Sequence, residues 1–462
     1  MGVQVKNAQV VSRVAALIAD FGRDLSKPER KFLSRLIFGI LCSQSSLLSE
    51  IARAVAPPKK VKAVWHRLDI NLGQYDLSRP YERAQKRMLK QIDSTFLFIF
   101  DPSEVVKPFG KKMEGLTLVR DASEKPRLVR DAKTGKLKET PVLKPGYPLR
   151  VAIALSPWGN VIPIELSLYS PGSETFVGEN DEYLQAIDPL IQRVGFAPLL
   201  ILDREFDAFV IIRHLCELRQ RFVIRVTSNR KYKRADASTN VWEPTFDRDE
   251  MLEKHAFLEC KAVVTYTVSG ASETKLFCFR AARVQLLAER KVDSVRERGD
   301  LNALTLIEMK IQSESGFPTL YLLTNERPTT GDELERIGRA YLARWNIEEY
   351  IRFLKQHYDL EGFLVRDLGR MKNLIMAVYI ATVILHLLTD RSSLQGWRTH
   401  DLLIQNALEV APPKKSRDFF LYAYGRGLKQ IVQANRALLK PLNTGSENST
   451  ERPQNQMSFP IS

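Results

Sequence analysis

Two short runs of apolar residues, each followed directly by an aspartate, constrain the fold of this chain more than any other feature. Residues 95–100 are β-branched, aromatic and aliphatic and lead to Asp101, and residues 198–202 lead to Asp203. Such runs are typical of strands buried inside a sheet. An aspartate after a strand can carry chemistry on a fixed backbone, but it can equally begin a turn or cap the next helix.

The segments around these runs alternate between strand and helix patterns. Two strand patterns flank a turn of Ser, Pro, Trp and Gly, which predicts a β-hairpin, and amphipathic helix patterns surround the second apolar run. The predicted order is strand, hairpin, helix, strand, helix and strand, over residues 95–100, 149–168, 182–194, 198–202, 206–219 and 222–226. This order predicts an α/β fold in which helices flank a mixed sheet.

Changes of pattern divide the whole chain into six predicted regions. They are a helical region 1–92, the first part of the mixed-sheet domain 93–227, a β-rich insertion 228–330, the second part of that domain 331–390, a helical region 391–440, and a polar, disordered tail 441–462. The first region carries several basic side chains on short helices: Lys59, Lys60, Lys62, His66 and Arg67. They fit a DNA-binding face and an ordinary solvated face equally well.

The charge of the chain indicates a polyanionic partner. Lys and Arg number 69 against 54 Asp and Glu, a formal net charge of +15, which suits nucleic acid or an anionic membrane surface. The most apolar stretch, residues 374–388, is shorter than the roughly 20 residues that span a bilayer, so we expect a buried helix and no membrane partner. The N-terminus lacks a signal-peptide pattern, and the four cysteines lack zinc-site spacing. We therefore expect a cytoplasmic protein.

A third group of polar residues is spaced for one face of a helix. Tyr341, Arg344, Glu348 and Lys355 stand at i, i+3, i+7 and i+14, and at about 100° per residue their projections fall within an arc of about 60°. The simpler interpretation is a solvated face on which Arg344 and Glu348 form an ion pair, with Asp359 available to Lys355. The alternative is a stripe that binds a phosphate backbone beside a metal.

The spacing of these four residues resembles the YREK signature of the insertion-sequence family-four DDE transposases of bacteria. Asp101 and Asp203 stand where that family has its two aspartates, and residues 107–116 are similar to segments that follow the first of them. The resemblance covers roughly residues 90–390. It implies a ribonuclease-H-like mixed-sheet catalytic core in two parts, interrupted by the β-rich insertion and flanked by helical regions. Residues 1–92 would bind the inverted repeats, and 391–440 are candidates for dimerisation.

The resemblance also implies an activity. Asp101, Asp203 and Glu348 would be catalytic residues that hold two Mg²⁺ ions, for which Mn²⁺ could substitute, and Tyr341, Arg344 and Lys355 would bind DNA. The enzyme would cleave and transfer DNA strands at transposon ends. Its partners would be double-stranded DNA, namely the terminal inverted repeats and the target DNA, on which it would form a homodimer. It would act at the bacterial nucleoid. Two rival hypotheses are a catalytically inactive or domesticated DNA-binding relative and an unrelated metal-dependent nuclease.

One departure from the family concerns base stacking. Related enzymes can use a tryptophan in the β insertion to stack on a flipped base, whereas residues 319–324 here have leucine at that place. Tyr321 and Trp242 are the candidates to replace it. Hairpin formation at the DNA ends is therefore left open.

Overall fold

The computed structural model describes residues 2–130, 137–227, 230–235, 244–268, 271–292, 295–312, 319–390, 394–408 and 421–434. The predicted disordered tail 441–462 and the candidate Trp242 lie outside these ranges. Helices α1 to α13 span Gly2–Phe21, Lys27–Ser43, Leu48–Val55, Val61–Gln74, Ser78–Leu89, Glu179–Val194, Phe209–Glu217, Arg248–His255, Gly331–Leu342, Trp345–His357, Leu368–Leu388, Leu394–Leu408 and Leu421–Ala434. Strands β1 to β13 span Leu97–Val106, Thr117–Arg120, Arg127–Arg130, Leu137–Thr140, Leu143–Leu155, Val161–Leu168, Leu199–Leu202, Phe222–Arg225, Tyr232–Arg234, Ala256–Val268, Ala271–Val292, Val295–Ile311 and Leu320–Thr324.

The centre of the fold is a mixed sheet, which confirms the predicted α/β class. Five of its strands follow the order β6-β5-β1-β7-β8. β5 and β6 form the predicted antiparallel hairpin, β5 is antiparallel to β1, and β7 and β8 continue parallel to β1. This order agrees with the expected ribonuclease-H-like core. In it, the two strands that lead to Asp101 and Asp203 are direct neighbours.

The β-rich segment after residue 230 extends this sheet. β13 pairs antiparallel with β8, and β12, β11 and β10 follow in antiparallel order beyond it. The inward faces of β11 and β12 are apolar and buried, including Phe277, Phe279 and Leu306. The inserted strands therefore share a continuous hydrogen-bonded sheet with the strands that carry the aspartates.

β1 is longer than its apolar run predicts. The prediction ended this strand in a turn at residues 101–102, whereas β1 continues to Val106, paired with β5 as far as Gly146. Its other neighbour, β7, pairs with it only through Phe100. Pro102, which has no N–H to donate, thus lies beyond the point where β1 pairs with β7. Asp101 consequently sits within a strand and not in a turn.

A layer of helices packs around α11, which is the apolar stretch predicted as a core helix. α2, α4 and α5 contact α11, and α11 contacts β6. The Asn373 amide of α11 donates to the carbonyls of Leu72 and Tyr75 at 2.9 and 2.8 Å. These hydrogen bonds hold the end of α4 against α11.

In the described part of the chain, α11 is the single helix long and apolar enough to cross a membrane. Of its most apolar window, 78% is buried inside the protein. α2 and α3 pass the same test only if taken together as one span, although they are bent by 98°. A buried core helix passes this test as well as a membrane helix does, so the burial of α11 agrees with the predicted core helix.

Candidate active site

The point at which β1 and β7 cease to pair places Asp101 and Asp203 side by side. Phe100 pairs with Leu202 in parallel register, and the next residue of each strand segment is an aspartate. The residues that precede them are fully buried, which fixes both backbones. Asp203 starts a 3-10 turn over Arg204–Phe206, yet its side chain makes no capping hydrogen bond. Capping therefore does not account for the side chain of Asp203.

The predicted single helix over residues 341–355 is interrupted. α9 ends at Leu342 and α10 begins at Trp345, with a turn between them. The backbone of Arg344 stays right-handed (φ −53°, ψ −32°), but the N–H of Arg344 bonds the carbonyl of Tyr341, and the N–H of Ile347 bonds that of Arg344. These three-residue bonds tighten the chain locally. The arc expected for a straight helix therefore does not apply across the turn.

Arg344 joins Glu348 on α10 to Asp101 on β1. Its guanidinium donates to Asp101 Oδ2 at 2.9 Å and to Glu348 Oε1 at 2.7 Å. The i, i+4 pair expected on a solvated face does form, but Arg344 is only 8% exposed. The contact is thus an interior link between sheet and helix, and it places Glu348 beside Asp101.

Tyr341 reaches the second aspartate. Its hydroxyl donates to Asp203 Oδ1 at 3.4 Å, and its ring is buried at 4% exposure. Burial, with the nearby charge of Asp203, raises the pKa of the Tyr341 hydroxyl. The phenol therefore stays protonated and remains a hydrogen-bond donor to the carboxylate.

Negative charge exceeds positive charge at this site. Burial, reinforced by Asp203, Glu348 and Glu205, raises the pKa of Asp101 to about 8, although Arg344 opposes the shift. Burial also raises the pKa of Glu348 and of Glu205. A cluster of carboxylates held together at this cost is typical of a functional site, and hard oxygen donors suit a divalent cation.

The carboxylates do not form a ready metal cage. Within the described ranges, no three His, Cys, Asp or Glu side chains stand close enough together to hold a metal ion as they lie. Arg344 contacts one oxygen of Asp101 and one of Glu348, and so takes the place of a cation between them. A guanidinium therefore supplies the positive charge between these two carboxyl groups.

Some neighbouring acidic residues were not singled out from the sequence. Glu205, two residues after Asp203, accepts a hydrogen bond from Tyr183 at 3.4 Å. Lys355 lies 3.6 Å from Glu104 and 3.7 Å from Glu361, so its partners differ from the expected Asp359. The spacing of Glu104 and Glu205 just beyond the two aspartates is the one sequence signal that points to them.

The candidate ring for base stacking in the β insertion is covered. Tyr321 of β13 is 8% exposed, its hydroxyl donates to Asp249, and the guanidinium of Arg248 lies 3.9 Å from its ring centroid. A nucleobase needs an open ring face on which to stack. Tyr321 therefore serves packing in this conformation.

Comparison with known proteins points to the same region. No curated protein matches this chain in sequence. Among solved structures, a chain of the cryo-EM structure of a piggyBac transposase synaptic complex with hairpin DNA is similar at 12% identity and a TM-score of 0.37, over 96% of this chain and 86% of that one. Residues 176–384 match the family model of the transposase DDE domain, a segment that holds Asp203, Tyr341, Arg344, Glu348 and Lys355 and begins after Asp101.

Proposed function

We propose that this chain is a DDE transposase of the YREK type that moves an insertion sequence by a cut-and-paste mechanism. The match of residues 176–384 to the transposase DDE domain supports the general role. The observation that carries the proposal is the meeting of three elements: Asp101 and Asp203 directly follow the last paired residues of adjacent parallel strands, and Arg344 ties Glu348 to Asp101. Carboxylates on rigid elements are what a metal-dependent phosphoryl transfer requires.

Asp101, Asp203 and Glu348 are the residues we propose as ligands for two Mg²⁺ ions. Their oxygens are the donors that Mg²⁺ prefers, and a bound cation would relieve the burial and like-charge crowding that raise the pKa of Asp101. Bound there, paired divalent ions activate a nucleophile and stabilise the leaving oxygen of an in-line displacement. Mn²⁺ has similar ligand preferences and would serve in its place.

The other side chains of the YREK group would orient the ligands and bind DNA. The Tyr341 hydroxyl holds Asp203, and Arg344 positions both Asp101 and Glu348. Lys355 lies farther along α10, paired with Glu104 and Glu361 at distances that are long for hydrogen bonds. A phosphate arriving at α10 would offer Arg344 and Lys355 stronger anionic partners, bidentate for arginine and a point contact for lysine.

Strand cleavage and strand transfer would use the same site with different nucleophiles. Water attacks the phosphodiester at the transposon end, breaks its P–O3′ bond and releases a 3′-hydroxyl. This hydroxyl then attacks a phosphodiester of the target DNA and displaces the 3′-oxygen of the target strand, which leaves as a hydroxyl. The protein groups hold the scissile phosphate in line for both displacements. Cutting two ends together needs two such sites, so we propose a homodimer on DNA.

The proposed domain roles follow the predicted regions. Residues 1–92 would bind the terminal inverted repeats, residues 93–227 and 331–390 would form the catalytic core around the insertion 228–330, and residues 391–440 would contribute to dimerisation. Exposed basic side chains lie on α4 and on the 3-10 turn before it: Lys59, Lys60, Lys62, His66 and Arg67. Their net charge suits duplex DNA.

The test is a cleavage assay with Mg²⁺ on DNA that carries the inverted repeats of the chain's own element. We expect the wild-type protein to nick these ends, and Asp203→Ala to abolish nicking while retaining duplex binding, because phosphate contacts carry most of the affinity. Glu217→Gln, an exposed acidic residue of α7 away from the site, is the matched control and should cleave normally.

The outcomes separate the hypotheses. Equal loss of binding and cleavage in Asp203→Ala would mean that Asp203 is structural. A wild-type protein that binds the ends but never cuts them would favour the domesticated, inactive relative. Cleavage without any preference for the element's ends, and without strand transfer, would favour a simple nuclease.

A further inference from the structure

A cleft between α2 and α4, far in sequence from the aspartates, is lined by three basic side chains. Its volume is about 170 Å³. The described residues around it are basic, neutral polar or apolar, with no acidic side chain among them: Pro28, Lys31, Phe32, Arg35, Val64, Arg67, Leu68, Asn71 and Tyr75. We refer to this feature as the α2–α4 cleft.

The cations of the α2–α4 cleft are close enough to repel one another. Burial, followed by the charges of Arg35, Arg67 and Lys27, lowers the pKa of Lys31. Burial and the charge of Arg67 likewise lower the pKa of Arg35. Like charges that converge in a partly enclosed space are unfavourable unless an anion joins them. The arrangement therefore favours an anionic ligand.

The walls of the α2–α4 cleft are rigid. Phe32 and Leu68 are 2% exposed, and the ring of Phe32 lies 5.6 Å from that of Tyr75. The backbone around Tyr75 is held by Asn373 of α11, which accepts from the N–H of Leu77 at 3.2 Å and donates to the carbonyl of Tyr75. A site on packed helices loses little freedom when a ligand binds.

We propose that the α2–α4 cleft binds a phosphate group of the backbone of duplex DNA. Lys31, Arg35 and Arg67 supply the positive charge, and Asn71 and Tyr75 supply neutral donors for the remaining oxygens. The arginines suit the two-oxygen edge of a phosphodiester, and the lysine acts as a point charge. Only the identification of the ligand as DNA rests on the proposed function.

The surroundings of the cleft favour a DNA backbone over a free phosphate ion. Lys60 is exposed at the end of the 3-10 turn that leads into α4, the helix that carries Val64 and Arg67 of the cleft. Lys59 and Lys62 are exposed beside it. A single ion would need only the cleft, whereas a backbone with regularly spaced phosphates uses the neighbouring lysines as well.

The first test measures the binding of a short DNA duplex by fluorescence anisotropy over a range of salt concentrations, in EDTA. The variant Lys31→Gln/Arg67→Gln removes two cations of the cleft, and Lys254→Gln/Lys261→Gln, at exposed positions of α8 and β10 outside residues 1–92, removes the same charge elsewhere. We expect the cleft variant to bind more weakly, with a slope of log K against log salt shallower by about two units. The control should keep the wild-type slope.

A second measurement identifies the source of the phosphate. Inorganic phosphate at constant ionic strength should raise the melting temperature of the wild-type protein and of the Lys254→Gln/Lys261→Gln control, but not that of the cleft variant. Stabilisation by phosphate with an unchanged salt slope would mean that the cleft takes a free ion, and it would overturn the assignment to DNA. An unchanged slope without stabilisation would remove the site altogether.

These measurements do not depend on cleavage. A protein without nuclease activity, but with the expected slope change, would refute the proposed catalysis and leave the cleft as a DNA contact. Circular dichroism of each variant checks that it is folded. If the double variant unfolds, Lys31→Gln alone tests the proposed site, with an expected change in the salt slope of about one unit.

Discussion

Arg344→Ala gives the sharpest test of the interior link at the candidate site. In the folded protein the Arg344 side chain is 10% exposed and bonds both Asp101 and Glu348. Removing one partner of a buried ion pair costs about 3–5 kcal/mol, because the remaining charge stays buried without compensation. The Glu348 side chain is 31% exposed, so water offsets part of this loss. We therefore expect the free energy of unfolding to fall by about 3 kcal/mol, at the lower end of that range.

The assay is urea denaturation without metal, and Arg352→Ala is the matched control. Arg352 pairs with Glu349 on the same helix, but its side chain is 45% exposed, so its loss should cost about 0–1 kcal/mol. Mg²⁺ should restore more stability to Arg344→Ala than to wild type, since a cation replaces the missing charge and binds only the folded state. Equal destabilisation by the two substitutions would refute the interior link and return Arg344 to a solvated face.

Three further substitutions probe other parts of the chain. Lys355→Ala should make the slope of log K for DNA binding against log salt shallower by about one unit, measured by anisotropy. It should cost at most about 1 kcal/mol of stability in urea denaturation. An unchanged slope would mean that Lys355 only forms ion pairs within the protein. In the folded protein, burial lowers the pKa of Lys107 from its ordinary 10.5 to about 7. At a pH between these two values, Lys107 therefore binds more proton in the unfolded chain than in the folded protein. Stability should accordingly rise from pH 7 to 9 more steeply in wild type than in Lys107→Met, and parallel curves would contradict the shift. Gly39→Ala should destabilise the protein by about 1–3 kcal/mol in thermal or urea unfolding, because the added Cβ would collide with Ile51. This loss should exceed the gain from alanine as the better helix former. A stabilised variant would show that α2 and α3 can separate.

Features that depend on neighbouring residues were predictable from the sequence. The start of α2 is one such feature, because Ser26 and Glu29 form a capping box whose partners are three residues apart. The hairpin of β5 and β6 is another, because its turn residues stand between two strand patterns. The apolar run of β7 and the burial of α11 followed from composition alone.

The length of β1 and the break between α9 and α10 were not predictable in this way. β1 continues past Pro102 because β5 goes on pairing with it, and no local pattern records that partner. Arg344 and Glu348 have the spacing of an exposed pair, and a helical projection cannot tell solvent from a sheet edge. The inward direction is decided by α10 packing against β1 and β5.

The sequence by itself determined the types of element, the α/β class and the chemical inventory of the candidate site, since periodicity, turn residues and spacing are local properties. Only the tertiary structure decided that Asp101 and Asp203 are neighbours, because parallel pairing joins strands about a hundred residues apart in the chain. It likewise decided that Arg344 stands between two carboxylates and that three cations share the α2–α4 cleft. Charges act through space and burial strengthens them, so their partners are set by how the elements pack and not by their order along the chain.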